Sequence, residues 1–487
     1  MDHDTIPFGS ATAIVAAISE GRLSARAALE QYLERVEQQN ALLNAVVVLR
    51  SDEARAEADA ADRDRAAGVC RGPLHGLPMT VKESFQLTGT PTTWGLPKLA
   101  GTTSTRDAVV IRRLRQAGAV IFGKSNVPRL LADWQTYNEV YGVTNNPWDT
   151  SRSPGGSSGG AAAALAAGFT GLELGTDIGS SIRNPAHYCG VYGHKPTFDI
   201  VTQYGHAPDG VVAEPDLGVV GPLGRSAADL ELGLDVIAGP DDIDAAAWRL
   251  TLPPARRPAL REFRIAVMMD SPRCPVDADI TGRLQHLVDF LGWEGARLSV
   301  GAWPSIDPDE LWRVYLRLLR AATSRRYTSA EVVQFRAEVG SSLSDSLDYW
   351  QISREATVMG HRDWLLMNEF RHKMRLQWQA FFREFDVLLC PVASTTAMRH
   401  DPSEPRHERQ INVNGQSMRS IDQLFWSAVA TTCYLPATVA PIGLSGAGLP
   451  VGVQIIGPQY GDKTTIAFAK LLEREFYAFV PPPRFTD

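Results

Sequence analysis

The first 70 residues carry apolar side chains at the spacing of an α-helix. Apolar residues recur three to four positions apart at Leu29, Tyr32, Leu33 and Val36. Residues 54–67 form a polar, alanine-rich stretch that also favours a helix. Ser10 and Ser24 stand where helix N-caps are expected, because a serine hydroxyl accepts an unpaired backbone N–H. The pattern predicts a helical N-terminal segment over residues 1–70.

From residue 71 onward, short apolar runs alternate with stretches of helical spacing. The apolar runs predict strands at residues 79–82, 119–122, 172–175, 264–268, 387–391, 436–439 and 451–456. The helical spacing predicts helices at residues 108–117, 161–167, 227–237 and 280–292. Strands that alternate with helices indicate an α/β layered fold.

The segment of residues 301–385 is helical and rich in arginine and tryptophan, and a long amphipathic helix is predicted over residues 352–385. A strand follows, so residues 386–487 are expected to return to the core. At about 150 residues per domain the chain length suggests about three domains. Because no repeat or low-complexity linker divides the chain, we predict instead one domain over residues 1–487. Its catalytic core is residues 71–300, and residues 301–385 form a helical insertion and candidate cap.

Composition and charge restrict the function classes. Hydrophobic residues make up 44% of the chain, and the net charge is −7, so the Lys and Arg surplus that nucleic-acid binding requires is missing. No apolar run reaches the ~18 residues of a membrane span. The N-terminus lacks the basic and apolar regions of a signal peptide. The sequence predicts no nucleic-acid partner, no membrane partner and a cytoplasmic location.

Cysteine spacing gives no sign of a disulfide framework or a metal site. Five cysteines are scattered along the chain, at Cys70, Cys189, Cys274, Cys390 and Cys433. None forms a CxxC pair, and no zinc-ligand spacing links cysteine with histidine. We expect buried, reduced thiols, no metal and no cofactor.

Two motif matches do not meet the structural context that their chemistry needs. Residues 118–125 match the phosphate-loop pattern GxxxxGK[ST]. Their middle residues are apolar and typical of a strand, whereas the phosphate loop is an open glycine-rich turn. Residues 156–160 match GxSxG, but a loop and not a strand precedes Ser158. Neither an NTPase nor a nucleophile-elbow serine is favoured.

Two glycine- and serine-rich loops, residues 155–160 and 175–183, each precede a predicted helix start. Such loops can turn backbone N–H groups towards phosphate, or form an oxyanion hole for acyl transfer with a loop serine as nucleophile. A serine nucleophile needs a base, and no histidine stands at an obvious partnering position. Lys82, which lies in a short apolar strand, is the candidate. A buried lysine loses its proton readily and can activate a serine. Taken singly, Lys82 is also compatible with a salt-bridged lysine, and the loops with tight turns.

Residues 154–197 have the sequence PGGSSGGAAAALAAGFTGLELGTDIGSSIRNPAHYCGVYGHKPT, which closely resembles the amidase signature family. Further segments resemble the same family: GPLHGLPMTVKES, GAVIFGKSN, YGVTNNPWD and LPVGVQIIGP. The resemblance covers nearly the whole chain. It implies the amidase-signature α/β fold, with a mixed, mostly parallel central sheet between helices and a helical insertion in the C-terminal half.

The resemblance also implies a Ser-cisSer-Lys triad. By position, Ser181 is the nucleophile, Ser157 is the bridging serine after a cis peptide bond, and Lys82 is the base. The implied oxyanion hole consists of backbone N–H groups from Ile178, Gly179, Ser180 and Ser181. The implied substrate pocket includes Leu131, Trp134, Gly155 and Gly156.

The chain departs from the family pattern at two positions. Ser180 stands where the family usually has glycine, so a second hydroxyl accompanies the nucleophile and the positive-φ freedom of glycine is lost. Ser180 is thereby a rival nucleophile. Arg129 replaces a frequent glutamate. We interpret His187 and His194 as structural, and Asp177 and Arg183 as residues that hold the second loop.

The expected activity is hydrolysis of a carboxylic amide C–N bond through an acyl-enzyme, with a small-molecule amide and water as partners. Aryl esters and carbamates pass through the same oxyanion, so urethanase activity is included. Four aromatic residues either cap the site or belong to the core: Trp312, Tyr315, Tyr349 and Trp350. If they line the entrance, aryl and anilide substrates are favoured. The alternatives are an amidotransferase component that needs a partner chain, an NTPase and an inactive binding protein. A homodimer is one option for the assembly.

Overall fold

The computed structural model describes residues 6–208, 210–340 and 343–486. The helices are α1 (Ala11–Ser19), α2 (Ala25–Leu43), α3 (Ser51–Ala66), α4 (Val109–Gln116), α5 (Gly159–Ala166), α6 (Arg183–Cys189), α7 (Ala227–Ile237), α8 (Ala278–Trp293), α9 (Pro308–Ala322), α10 (Ser329–Glu338), α11 (Tyr349–Thr357), α12 (His361–Glu384), α13 (Leu424–Thr431) and α14 (Asp462–Glu475). The strands are β1 (Val46–Leu49), β2 (Pro78–Lys82), β3 (Val120–Ser125), β4 (Tyr137–Asn138), β5 (Gly142–Val143), β6 (Glu173–Asp177), β7 (Tyr192–Lys195), β8 (Val219–Gly224), β9 (Arg264–Val267), β10 (Arg297–Val300), β11 (Val387–Pro391), β12 (Gln410–Val413), β13 (Gln416–Arg419), β14 (Ala437–Leu444) and β15 (Pro450–Ile456). Helices and strands alternate through most of the chain, as predicted for an α/β fold.

An eight-stranded sheet in the order β10-β9-β11-β15-β14-β7-β8-β6 forms the centre of the molecule. The pairs β10/β9 and β9/β11 are parallel, and the other five neighbouring pairs are antiparallel. Following these pairings, five strands run in one direction (β8, β9, β10, β11 and β14) and three in the other. The predicted mixed sheet is confirmed and most strands share one direction, but parallel neighbours are confined to one end.

The connections explain this distribution. Helix α8 joins β9 to β10, and such a long crossover allows parallel pairing. Only residues 445–449 join β14 to β15, and a connection this short requires antiparallel neighbours.

A second sheet, β1-β3-β2, carries Lys82 at its edge. Strand β2 pairs in parallel with β3, so Lys82 lies opposite Ser125. Residues 118–125 contain β3 itself, as predicted, and therefore not an open phosphate loop. Strand β1 lies inside the segment that was predicted to be helical. It is a strand because its residues pair with β3, which is distant in the sequence.

Helix α5 is the alanine-rich helix, and all eight of its residues are buried. It lies between β2, β6 and α6. A Cβ on Gly160 would lie 2.3 Å from the backbone nitrogen of Asn126, so larger side chains would separate these elements. The small residues therefore reflect close packing on every side.

The helical segment differs in detail from its prediction. The helix predicted over residues 352–385 is divided into α11 and α12. Val358 caps α11 and Gly360 caps the start of α12, so the chain changes direction between them. Helix α9 packs against α11, α12 and α13, and its Tyr315 contacts the second glycine-rich loop. Within the described ranges, no helix is both long and apolar enough to cross a membrane.

Candidate active site

Lys82 ends β2 and is completely buried among hydroxyl groups. Its Nζ lies 2.7 Å from Ser157 Oγ, 3.0 Å from Ser158 Oγ and 2.9 Å from Thr176 Oγ1. The first loop and β6 thus bring three hydroxyl groups to a single amine at the end of β2.

Burial sets the protonation of this amine. It lowers the pKa of Lys82 to about 7, although the carboxyl groups of Asp177 and Glu173 oppose that shift. Burial also raises the pKa of Glu173 to about 8, against the hydrogen bonds from Thr80 and Leu174. Near pH 7 a substantial part of Lys82 is therefore the neutral amine, and most of Glu173 is the neutral acid.

The first loop holds Ser157 beside Lys82. The peptide bond between Gly156 and Ser157 is cis, as the resemblance implies. A Cβ on Gly155 would lie 2.5 Å from Asn184 Oδ1, and one on Gly156 would lie 2.3 Å from the carbonyl oxygen of Asp133. Because both glycines pack against backbone and side chains, neither lines the two cavities described below, contrary to the pocket prediction.

The Asp177 carboxylate organises the second loop. It accepts N–H groups from Ser180 at 3.0 Å, Ile182 at 3.0 Å and Arg183 at 3.3 Å. It also pairs with the Arg183 guanidinium at 2.8 Å, and both side chains are fully buried. Burial alone would raise the pKa of Asp177, but the Arg183 charge and these hydrogen bonds outweigh it and lower that pKa. The predicted loop-holding role of this pair agrees with these contacts.

Arg183 connects this loop to the core. Its guanidinium donates to Ser427 Oγ at 3.1 Å, Thr431 Oγ1 at 2.8 Å and Gln454 Oε1 at 2.6 Å. Helix α13 and strand β15 therefore fix the loop from behind.

Two carbonyls of the second loop also accept hydrogen bonds from side chains outside the loop. Tyr315 donates its hydroxyl to the Ile178 carbonyl at 3.1 Å, and Trp134 donates Nε1 to the Gly179 carbonyl at 2.7 Å. In a trans peptide the C=O and N–H point in opposite directions. The N–H of Gly179 therefore points away from Tyr315, while the N–H of Ser180 points to Asp177.

This arrangement changes the set of available donors. The Ser180 N–H is engaged by Asp177, which removes it from the predicted oxyanion donors. Within the described residues, the N–H groups of Ile178, Gly179 and Ser181 donate no hydrogen bond. Ser180 itself has a φ of 70° and a buried hydroxyl without a hydrogen-bond partner among the described residues.

Two cavities meet at the second loop. The larger has a volume of about 590 Å³ and is lined by Ser157 and Ser181, by apolar residues that include Trp94, Leu130 and Val211, and by a similar number of polar or charged residues. The smaller has a volume of about 290 Å³ and includes Trp134, Tyr349 and Trp350. Four residues line both: Leu131, Ile178, Ser181 and Arg326. The Ser157 and Ser181 hydroxyls share no hydrogen bond in the described structure, although both face the larger cavity.

The four aromatic residues of the helical segment divide into two pairs. Tyr349 and Trp350 line the smaller cavity, as expected for a cap. Trp312 is fully buried and donates to the Leu347 carbonyl, and Tyr315 is fully buried against the loop. Those two belong to the core.

The histidines of the signature segment are bonded within the core, as predicted. His187 Nδ1 accepts the Gly452 N–H at 2.8 Å, and burial lowers the pKa of His187 to about 4. His194 lies between Thr438 and Asp462. Both are therefore structural side chains.

Sequence reasoning missed two partners of Lys82. Ser158 was considered only as an elbow serine, and Thr176 only as part of the second loop. The signal for Ser158 is its place next to Ser157, while nothing in the sequence distinguishes Thr176. The described residues contain no group of three or more metal-ligating side chains.

Comparison with known proteins places this architecture in a family. The Amidase family model matches residues 27–466. A glutamyl-tRNA(Gln) amidotransferase component from Synechococcus sp. (strain CC9605) is 32% identical over 486 residues, covering 96% of this chain and 96% of that protein. The indoleacetamide hydrolase of Bradyrhizobium diazoefficiens is 31% identical over 476 residues, covering 95% of this chain and 86% of that protein.

A solved structure shows the same fold. A bacterial aryl acylamidase of the amidase signature family superposes with a TM-score of 0.81 at 24% identity, covering 99% of this chain and 98% of that chain. The sequence matches extend over nearly the whole chain and include the segments that carry Lys82, Ser157 and Ser181. The chain belongs to the amidase signature family and is an enzyme that hydrolyses amides.

Proposed function

We propose that this enzyme hydrolyses an aryl or other hydrophobic amide through an acyl-enzyme, with Ser181 as nucleophile, Ser157 as proton bridge and Lys82 as base. One observation carries the proposal: the buried Lys82 Nζ lies 2.7 Å from Ser157 Oγ, and Ser157 lines the same cavity as Ser181. A lysine without a carboxylate partner at hydrogen-bond distance, surrounded by hydroxyl groups, is the arrangement that favours a neutral amine.

A neutral amine has two N–H donors and one lone pair. Three hydroxyl groups surround Lys82, so it can donate to Ser158 and Thr176 while its lone pair accepts the Ser157 proton. Ser157 in turn accepts the proton of Ser181. Ser181 has to turn towards Ser157 for this transfer, and its side chain borders the cavity where that movement has room.

In the first half-reaction Ser181 Oγ bonds to the amide carbon and its proton passes through Ser157 to Lys82. The carbonyl oxygen becomes an oxyanion, and the N–H groups of Gly179, Ser181 and Ile178 are its candidate donors. The C–N bond then breaks as the proton returns to the leaving amine. Water repeats the sequence on the acyl-enzyme and releases the acid.

The larger cavity supports a hydrophobic substrate. Trp94, Leu130, Leu131 and Val211 contribute to its wall, and its volume of about 590 Å³ is enough for an aryl amide. Carbamates and aryl esters form the same tetrahedral oxyanion, so we include them as substrates. Tyr349 and Trp350 cap the smaller cavity in this proposal.

Release of nitroaniline from a short-chain acyl 4-nitroanilide tests the proposal. The wild-type enzyme should release it, and Ser181→Ala should not. Ser180→Ala is the matched control, since it removes the neighbouring hydroxyl and should retain activity. Activity in Ser181→Ala together with loss in Ser180→Ala would assign the nucleophile to Ser180. A folded wild type that hydrolyses no amide, carbamate or aryl ester would contradict the proposal.

A second candidate follows from the 32% identity with an amidotransferase component. A protein of that kind would pass ammonia to a partner chain. Copurification of a partner that raises amide turnover would favour it, and full activity of the lone chain would count against it. Light scattering of the lone chain distinguishes the homodimer, which stays a prediction, from such a complex.

A further inference from the structure

Three arginines of the helical segment border the nucleophile's cavities, and one of them, the exposed Arg325, lines only the larger cavity. Arg320 lies near the end of α9, and Arg326 ends the short 3₁₀ turn Ser324–Arg326 that follows. Both line the smaller cavity, and Arg326 also lines the larger one. Arg326 is therefore a cation at the junction of the two cavities, that is, among the residues that line both, as Ser181 does.

Neither Arg320 nor Arg326 has a counter-ion within the described part of the chain. The Arg326 guanidinium forms no hydrogen bond or ion pair there. The Arg320 guanidinium lies over the ring of Tyr349 at 5.0 Å, and its buried Nε has no hydrogen-bond partner. Arg406 also lines the smaller cavity, and within the described residues its guanidinium donates only to the Ala132 carbonyl.

The acidic groups of the two cavities already have an ion-pair or hydrogen-bond partner. Asp133 pairs with Arg409 at 2.7 Å, and Glu404 pairs with Arg409 at 3.3 Å. In the larger cavity Asp177 pairs with Arg183 and Asp216 pairs with Arg371 at 2.7 Å. Glu214 is held by Thr202 and the Gln203 N–H.

Buried arginines elsewhere in the described structure have partners for their guanidinium groups. Arg183, Arg371 and Arg409 pair with carboxylates, and Arg225 donates to backbone carbonyls and to the Tyr32 hydroxyl. Placing unpaired cations side by side is unfavourable, and burial together with the charges of Arg320 and Arg406 lowers the pKa of Arg326 to about 9. An anion bound where the two cavities meet would offset the free-energy cost of burying the Arg326 charge and would reduce the repulsion among the arginines.

We propose that the physiological substrate is a hydrophobic amide that also bears a carboxylate, which Arg326 binds with Arg320 beside it. The inference rests on the proposed function, because it concerns the same site. A guanidinium offers a planar pair of donors that matches a carboxylate. With Arg326 at the junction, a carboxylate bound there lies in the same chamber as the carbonyl that Ser181 attacks.

Two probes with the same leaving group test this inference: the 4-nitroanilide of succinic acid, which has a free carboxylate, and its methyl ester. We expect wild-type kcat/KM to be about tenfold or more higher for the acid, as a charge-assisted hydrogen bond would give. Arg326→Gln should reduce the ratio of the two values to near one, and Arg326→Lys should restore part of it. Arg313→Gln removes a charge from the same segment outside both cavities, and should leave both values unchanged.

Binding separates this inference from the proposed function. Calorimetry with Ser181→Ala should show about tenfold tighter binding of the acid than of the ester, decreasing as salt is added. Equal binding of the two probes, or a preference that survives in Arg326→Gln, would overturn the carboxylate inference. Turnover of the ester with no preference for the acid would overturn it and leave the proposed function standing. Preferred binding of the acid by Ser181→Ala, with no turnover of either probe by the wild type, would support the anion site and contradict the proposed hydrolysis.

Discussion

At the residue scale, the protonation of Lys82 controls the proposed reaction. Its pKa of about 7 lies below the ordinary lysine value because burial disfavours the charged form. The neutral amine is the base, so kcat/KM should rise with pH through about pH 7 and level off above it. Rates measured from about pH 5 to about pH 9 on a nitroanilide check this expectation.

A second buried lysine provides the control for that profile. Burial also lowers the pKa of Lys195 to about 7, but its Nζ donates to the carbonyls of Pro196 and Leu435, and it lines neither cavity. Lys195→Met should keep the rise near pH 7. If a still-active Lys82→Ala variant keeps that rise while Lys195→Met loses it, Lys82 is not the base.

Ser180 has a strained backbone and an unsatisfied hydroxyl. A φ of 70° is unfavourable for a residue with a Cβ, and the buried Oγ has no partner in the described structure. Ser180→Gly should therefore raise the free energy of unfolding by about 1 kcal/mol, after the greater freedom of glycine in the unfolded chain is subtracted. Urea denaturation measures this change.

Ser180→Ala separates the two causes, because it removes the hydroxyl and keeps the Cβ. Any additional stability of Ser180→Gly over Ser180→Ala then comes from the backbone. A Ser180→Gly variant less stable than the wild type would show that the loop needs the serine. That result would contradict the strain argument.

The residues of the site were predictable to different degrees. Lys82, Ser157 and Ser181 lie in segments whose amino-acid sequence resembles a known family. The structure brings the three into neighbouring positions. The engagement of the Ser180 N–H by Asp177 was not predictable, because it depends on how the loop folds back on a carboxylate. The unpaired Arg326 was missed for the same reason, since pairing is a property of three-dimensional neighbours.

At the element scale, α9 supports the second loop. The Tyr315 hydroxyl holds the Ile178 carbonyl at 3.1 Å and lies 3.2 Å from Ser427 Oγ. Tyr315→Phe should lower the free energy of unfolding by about 1 kcal/mol. It should also lower kcat on a nitroanilide by about tenfold, because the Gly179 N–H of the same peptide loses its fixed direction.

Tyr192→Phe is the matched control for Tyr315→Phe. Tyr192 is fully buried too, but its hydroxyl has no hydrogen-bond partner among the described residues. Its removal should change stability by less than about 0.5 kcal/mol and leave kcat unchanged. Equal effects of the two substitutions would mean that the Tyr315 hydroxyl does not position the loop.

Elements whose pattern depends on local packing were predicted well. Helix α7 and strand β11 have the predicted bounds, and Ser10 and Ser24 accept backbone N–H groups as N-caps. The break between α11 and α12 was missed because its residues continue the amphipathic spacing. Strand β1 was missed because four residues give too little periodicity, and pairing with β3 decides the outcome.

At the scale of the whole molecule, the sheet's parallel end could not be located from the sequence. Strand order depends on contacts between distant segments, such as β11 between β9 and β15, which periodicity does not contain. The burial of most cysteines, by contrast, was predicted from the sequence. Four of the five are buried as predicted, while Cys70 is exposed in the loop after α3.

That distribution of thiols gives a test of the whole core. Burial raises the pKa of Cys274, Cys390 and Cys433 to about 12, and only an accessible thiolate reacts quickly with a disulfide reagent. The native protein should therefore react at one thiol, and the protein unfolded in guanidinium without reductant should react at all five. Cys70→Ser should reduce these numbers to none and four. A second fast-reacting thiol in the native state would mean that the core around the sheet opens. Fewer than five in the unfolded chain would mean a disulfide, against the reduced thiols that the scattered spacing predicts.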